Sequence, residues 1–423
     1  MVQSKRINEN ITLSYIPMGK LKTTTVGFYI HRPLCAEDAA KNALLPLVMR
    51  QGSKEFPDME AISKRLDELY GSRLSAGVSK KGEDQIISFE TECISDKYVP
   101  NSEPLLASLI KLLFGVIFEP RIEDGGFCAD IFAQEQKNLI DRIRASVNDK
   151  RVYAHEKLCD ILCEGTPYAV SRLGDEESAA RLERRELYNY YKDIITASAI
   201  DIYVAGDADI EAVASAVTDL VRDMSFTAAK IPHTDILAVG NKEPKEVTEH
   251  MDVTQGKLAM GFTTGVAPED DDYWGLVVAN SIFGGGAHCK LFNNVREKLS
   301  LAYYANSQLH KFKGFIAVNA GVEFKNFKKA YDEVLIQLEA LKNGEVTEQE
   351  FTASKMYLIN NLNSYYDDQL YMQSFYLGEK VAGTGYDIDY YIKKISAVAV
   401  ESAVAAAQKI RFECAYFLTG KEA

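Results

Sequence analysis

The feature that most constrains this fold is that the chain echoes itself. Residues 23–30, TTTVGFYI, align with residues 257–264, KLAMGFTT, so that Gly27 and Phe28 fall on Gly261 and Phe262. The same offset places Gly52 on Gly286 and Tyr70 on Tyr304. A second echo pairs AIDIYVAGDAD (199–209) with FECAYFLTGKEA (412–423), Gly206 falling on Gly420. The echoes keep the same order along the chain, which points to a duplicated unit rather than chance similarity. We therefore expect two homologous domains, residues 1–225 and 247–423, joined by a linker over 226–246 that holds two prolines and little helical periodicity.

Within each half the hydrophobic pattern mixes strands and helices. Residues 23–31 and 84–91 alternate apolar and polar as strands do. Residues 59–70 carry Ile62, Leu66 and Leu69 on one helical face, with Asp58 placed to cap the helix. Residues 130–160 read as one long helix. The second half repeats the scheme, with a strand at 257–264, helices at 271–283 and 289–299, strands at 303–311 and 314–322, and helices at 325–342 and 347–377. There is no regular β-α-β alternation, so the class is α+β.

Composition removes several functions. There are 48 basic and 61 acidic residues, a net charge of −13, where nucleic-acid binders usually carry a basic excess. The longest apolar stretches, 44–49 and 105–118, fall short of the roughly 18 residues a membrane span needs. The polar start of the chain lacks the apolar core of a signal peptide, and the expected location is the cytoplasm. Seven scattered cysteines argue against a disulfide framework. Cys159 and Cys163, one helical turn apart, read as buried reduced thiols.

No complete catalytic set is visible. The six histidines form neither H-E-x-x-H nor H-x-x-E-H, and no Cys/His group has zinc-ligand spacing. FGGGAHCKLF (283–292) lacks the ending of a phosphate loop and reads as a helix end and turn. His288 within it reads as structural or solvated. The acidic run Glu269–Asp272 reads as a loop leading into a helix N-terminus.

One segment is more specific. SIFGGGAHCKLFNNVREKLSLAYYANS (281–307) resembles the C-terminal-domain signature of the pitrilysin/insulinase family of zinc peptidases: a Gly-rich turn, a Leu-Phe step, then V-R-E-x-x-x-L-A-Y. Thr166-Pro167-Tyr168 with Gly174, Gly206-Asp207, and GEVTEQEFTASK (344–355) are similar to other family segments and fall in the family order. The resemblance spans about residues 20–420 and is to the half-length bacterial type. It implies two homologous α/β-sandwich domains, each a mostly antiparallel sheet packed against helices, as in mitochondrial processing peptidase-like metallohydrolases.

The resemblance also implies what has been lost. Catalytic members carry H-x-x-E-H shortly before a small turn, which here is Gln51-Gly52-Ser53. Ala43 and Leu47 stand at the histidine positions, and Pro46 stands at the catalytic glutamate. On the downstream helix Glu135 keeps the first acidic position, while Arg142 replaces the third ligand; apart from the family frame, Glu135 reads as a solvated helix residue. This chain should therefore bind no catalytic zinc and cleave no peptide alone. The family's substrate-side pair survives as Arg296 and Tyr303. Read without the family, Arg296 is an ordinary ion-pair partner of Glu297 and Tyr303 a core aromatic.

The resemblance then implies a non-catalytic subunit that pairs with a zinc-bearing half-length paralogue, helps enclose peptides and supplies Arg296 and Tyr303 to that partner's active site. The zinc would sit in the partner. The alternatives are a non-enzymatic homodimeric clamshell that binds peptides, or a structural subunit of a larger complex. Family substrates add as a strand to a sheet edge, and RLSAGVSKKGEDQIISFETE (73–92) occupies that place here, either as a vestige or to grip a distant part of the substrate.

Overall fold

The computed structural model describes residues 2–99, 104–240 and 243–421. The last two residues of the second echo and residues 241–242 of the linker lie outside them. In chain order the strands are β1 (Gln3–Arg6), β2 (Ile11–Pro17), β3 (Thr23–Pro33), β4 (Arg73–Lys81), β5 (Asp84–Ile94), β6 (Ile122–Glu123), β7 (Gly126–Phe127), β8 (Ile200–Gly206), β9 (Lys245–Met251), β10 (Gly256–Thr263), β11 (Ala302–His310), β12 (Phe315–Val322) and β13 (Arg411–Gly420). The helices are α1 (Ala36–Met49), α2 (Met59–Glu68), α3 (Leu105–Phe118), α4 (Ala129–Ala145), α5 (Lys150–Leu162), α6 (Glu176–Arg181), α7 (Arg184–Ala197), α8 (Ile210–Val221), α9 (Tyr273–Gly284), α10 (Phe327–Lys342), α11 (Glu348–Ser364), α12 (Gln369–Ala382), α13 (Ile388–Ala397) and α14 (Val400–Ala407).

The chain forms two compact units, each assembled from non-contiguous stretches. The first comprises residues 1–144, 170–233 and 365–383; the second comprises 145–169, 234–364 and 384–423. The sheet of the first unit runs β1-β2-β8-β3-β5-β4, and that of the second β11-β12-β10-β13-β9. Apart from β1, the two sheets share one topology. β2 is parallel to β8 as β9 is to β13, and all other neighbours are antiparallel. Both echoes fall on equivalent strands: β3 matches β10, and β8 matches β13.

Strand periodicity sorts the first sheet into two chemistries. Val26, Phe28 and Ile30 of β3 and Ile87 and Phe89 of β5 enter the main core with residues of α1 and α3. Phe28 meets Phe114 and Phe118 edge-on, each at 5.8 Å. The opposite face presents Thr25, Gly27, Tyr29 and His31, and α12 covers it. Its seam is polar. Gln373 Nε2 donates to Thr25 Oγ1 (2.7 Å), and the Tyr29 hydroxyl lies 2.9 Å from Gln373 Oε1. A Cβ on Gly27 would lie 2.3 Å from that same oxygen.

In the second unit α5 takes the equivalent place, with an apolar seam. Leu158, Cys159 and Cys163 pack with Ala259, Phe315, Ala317 and Cys414. A Cβ on Gly261 would lie 3.0 Å from Leu162. The paired glycines of the first echo thus make room for one helix each, and that helix comes from the other half of the sequence.

Two long helices expected from periodicity are broken at those transfers. The expected helix over 130–160 divides at Ser146–Asn148, where Asp149 caps α5 by accepting from Arg151 N and Val152 N. The expected helix over 347–377 divides at Tyr365–Asp367, where Asp368 caps α12 by accepting from Leu370 N and Tyr371 N. Asp58 caps α2 as expected, accepting from Ala61 N at 2.8 Å. All seven cysteines are free thiols. Among the described residues no helix is long and apolar enough to cross a membrane.

Candidate functional site

Helix α1 opens with Glu37 and Asp38 in its first turn, where carboxylates favour the helix dipole. Pro46 stands inside it, so the carbonyl of Asn42 receives no helical hydrogen bond from that position. Ala43 is 2% exposed and Leu47 5% exposed. Ala43 packs in the core beside Leu44, Leu45 and Val48. The polar groups nearby are already engaged. Asn42 Nδ2 donates to Gln85 Oε1 (2.8 Å), and Tyr190 Oη donates to Asn42 Oδ1 (2.7 Å). Gln85 Nε2 donates in turn to the carbonyls of Ala39 and Arg172. Gly174, with φ +71°, lets its loop approach α1, where a Cβ would meet Ala40 N at 2.8 Å.

Glu135 differs from the solvated helix residue expected apart from the family frame. It is 5% exposed and accepts from Gln51 Nε2 at 2.7 Å. The Gln51-Gly52-Ser53 turn therefore docks on α4 through an amide–carboxylate bond. Arg142, two turns further along, is exposed. These residues do not fit the zinc that the family frame implies. A methyl, an isobutyl and a pyrrolidine ring offer no donor atom, a guanidinium repels a cation, and the one carboxylate is bound by an amide. Among the described residues no group of three His, Cys, Asp or Glu is arranged to hold a metal ion.

Arg296 and Tyr303 lie on either side of one turn in the second unit. Leu291–Lys298 winds as a π-helix rather than the expected α-helix, and Leu299 N reaches Asn294 O at 3.1 Å. Such wide turns recur at functional sites. The Arg296 guanidinium stacks on Phe292 at 4.7 Å, and its Nε lies 3.5 Å from Glu297. The arginine side chain remains 43% exposed. Ser300 then adopts φ +48°, turning the chain into edge strand β11. The β11–β12 register slips between Ala302 and Tyr304, so Tyr303 is the extra residue of a bulge. Bulges re-aim side chains. Tyr304 lies against Gly321 and beneath Arg151, whose guanidinium is 4.6 Å from its ring, whereas Tyr303 is 61% exposed. Tyr303 is thus a surface phenol rather than a core aromatic.

His288 stands beside Ser281 Oγ at 3.4 Å and Tyr357 at 5.3 Å between rings, and burial lowers its pKa. In the acidic run, Asp270 accepts from Ala267 N at 2.8 Å, and Asp272 pairs with Lys409 immediately before α9.

Two constellations in the first unit have no local sequence signature. In one, buried His31 contacts Asp84 through Nδ1 at 2.5 Å and Asp201 through Nε2 at 3.0 Å, while Lys380 of α12 pairs with Asp201. Burial lowers the His31 pKa, but the bonds to Asp201 and Asp84 outweigh it and hold the imidazole up to about 9. Burial raises the Asp84 pKa against the opposing pull of His31. With His31 and Lys380 protonated, the two aspartates are balanced charge for charge. In the other, a trough of about 380 Å³ runs beside edge strand β4, lined by Tyr29, Ser75, Gly77, Ser88, Glu90 and Ser374 among others. Cross-strand register could have suggested the trough only once β3, β4 and β5 were known to be neighbours.

A family model described as "Peptidase M16 inactive domain" matches residues 181–358. The chain is 35% identical over 412 residues to the protein named "Probable inactive metalloprotease YmfF" from Bacillus subtilis (strain 168), a match covering 97% of this chain and 96% of that one. A conserved protein from Enterococcus faecalis V583 superposes with a TM-score of 0.90 at 29% identity, over 100% of this chain and 99% of that chain. A peptidase M16 inactive domain from Pseudomonas fluorescens shares the fold at a TM-score of 0.78 and 17% identity, over 99% and 98% of the two chains.

Proposed function

The chain belongs to the pitrilysin/insulinase (M16) peptidase family, among its inactive half-length members, and from that premise we propose that it is the non-catalytic subunit of a heterodimeric metallopeptidase. It binds extended peptides and lends Arg296 and Tyr303 to the active site of a zinc-bearing partner. The observation that carries this reading is the presentation of the pair. A π-turn, a left-handed serine and a β-bulge leave a guanidinium and a phenol at the surface around one turn.

The chemistry is electrostatic. When a peptide carbonyl is attacked, negative charge gathers on its oxygen. Arg296 and Tyr303 donate hydrogen bonds to that charge from fixed positions, which is worth more than the same donors free in water. Phe292 holds the Arg296 guanidinium flat. Peptide recruitment falls to β4, an edge strand whose free backbone groups accept an added strand.

The test is reconstitution with a half-length relative that carries H-x-x-E-H. The mixture should cleave a quenched peptide that neither chain cleaves efficiently alone. Arg296→Ala or Tyr303→Phe should each lower kcat by roughly 10²–10³ while leaving the complex assembled. Unchanged kcat in both variants would sink the donor role. A stable homodimer that binds peptide and activates no relative would leave the homodimeric clamshell as the function.

A further inference from the structure

Glu90 is an anionic acceptor that its surroundings leave short of donors. Its Oε1 lies 3.1 Å from the Tyr29 hydroxyl, and its Oε2 lies 3.5 Å from the Ser75 hydroxyl. Tyr29 has one proton, and the Gln373 Oε1 competes for it from 2.9 Å. A carboxylate can accept about four hydrogen bonds. This one receives at best a shared bond and a long one. Among the described residues no lysine, arginine or histidine pairs with it. The charge makes itself felt on Tyr29, whose pKa burial raises first and Glu90 raises further.

The carboxylate faces the trough beside β4. Register places Ser75 opposite Glu90 and Gly77 opposite Ser88, so these four positions share one face of the sheet. A Cβ on Gly77 would meet nothing within 4 Å. Side chains here are small, and the floor is open from the strand edge inward to Glu90. Among the described residues the cations lining the trough are Lys81, whose Nζ donates to Ser374 Oγ, and Lys80, whose Nζ donates to Val170 O.

We propose that Glu90 is a specificity determinant: the β4 edge selects extended peptides that place a lysine or arginine side chain across Ser75 and onto the Glu90 carboxylate. The proposal rests on the reading of β4 as a peptide-binding edge. A strand added to β4 would lie two inter-strand steps from β5, roughly 10 Å. Only a side chain as long as lysine or arginine bridges that gap to meet a glutamate. The serine hydroxymethyl beneath it leaves the path clear, and its hydroxyl is displaced from Glu90 by a charged donor that makes the stronger bond.

The experiment uses the full chain and a fluorescein-labelled ten-residue peptide made in three versions, with lysine, norleucine or glutamate at its centre. Fluorescence anisotropy should show the lysine version binding about tenfold more tightly than the norleucine version, and the glutamate version more weakly than both. Glu90→Gln, which keeps the shape of the side chain, should bring the lysine-to-norleucine ratio close to one. Ser75→Phe, which closes the path, should do the same. Glu60→Gln, on α2 away from the trough, should leave the ratio intact and so exclude a general effect of the chain's negative charge. Equal binding of all three versions to the unsubstituted chain would overturn the role of Glu90 and leave the peptide edge standing. Failure of every version to bind would overturn both.

Discussion

The buried His31 network makes the stability of the first unit depend on pH in a calculable way. The His31 pKa is about 9 in the fold against 6.5 for an ordinary histidine. At about 1.36 kcal/mol per pH unit, that difference corresponds to roughly 3 kcal/mol. The sign follows from the protonated form being the one the fold holds. The contribution is complete below pH 6.5, falls as pH rises toward 9, and is gone above it. Asp84, whose pKa burial raises, shifts stability with the same sign because it too binds its proton more tightly in the fold, and the part of the slope that His31→Gln removes is the part that belongs to the imidazole. The assay must report the first unit alone, because a two-unit chain has no single unfolding free energy. The only tryptophan, Trp274, lies in the second unit. Amide exchange of β3, β5 and β8, corrected for intrinsic rates, reads the first, and Trp274 fluorescence serves as an internal control. We expect protection of those strands to drop by about 3 kcal/mol from pH 6.5 to 9, with little change at Trp274. His31→Gln should already be weaker at pH 6.5, on the order of 3 kcal/mol, and should lose the slope. Flat protection across the window, or an equal slope in His31→Gln, would refute the reasoning.

Two further outcomes follow from the site around α1. Gly174→Ala combines a left-handed backbone with a Cβ forced against Ala40. It should cost about 1–3 kcal/mol, lowering the calorimetric transition by several degrees, and an unchanged transition would mean the loop relaxes freely. On the family frame, in which residues 43, 46 and 47 take the motif positions and Arg142 the third-ligand position, Ala43→His, Pro46→Glu and Leu47→His together should not yield stoichiometric zinc by elemental analysis, because Arg142 remains. The triple variant should also lose about 1–3 kcal/mol or more through overpacking at Ala43. Stoichiometric metal in a stable triple variant would show that Arg142 does not exclude it.

Much of this protein was legible in its sequence because the relevant signals are local. The Gly-Phe echoes fall on β3 and β10 because a central strand repeats its period-2 pattern whatever packs on it. Asp58 caps α2 because an N-cap needs only the next turn of its own helix. That residues 43, 46, 47 and 142 carry no zinc donor is read from their identities alone.

What sequence could not supply depends on distant partners. Glu135 shares a helical face with Phe132 and Leu139, and only its charge argues for solvent; Gln51, 84 residues away, bonds the buried carboxylate. Tyr303 follows an apolar stretch, yet a one-residue slip against β12 sends it outward. The breaks at Asp149 and Asp368 interrupt continuous helical patterns because each following helix packs on the sheet of the other half of the sequence. His31, Asp84, Asp201 and Lys380, like Tyr29 and Glu90, come from different strands and a helix far apart in the chain. A duplicated sequence determines two copies of a sheet. Which charges those sheets bring together is decided only by register and by the helix laid across each, since a Coulomb interaction depends on distance in space and not on distance along the chain.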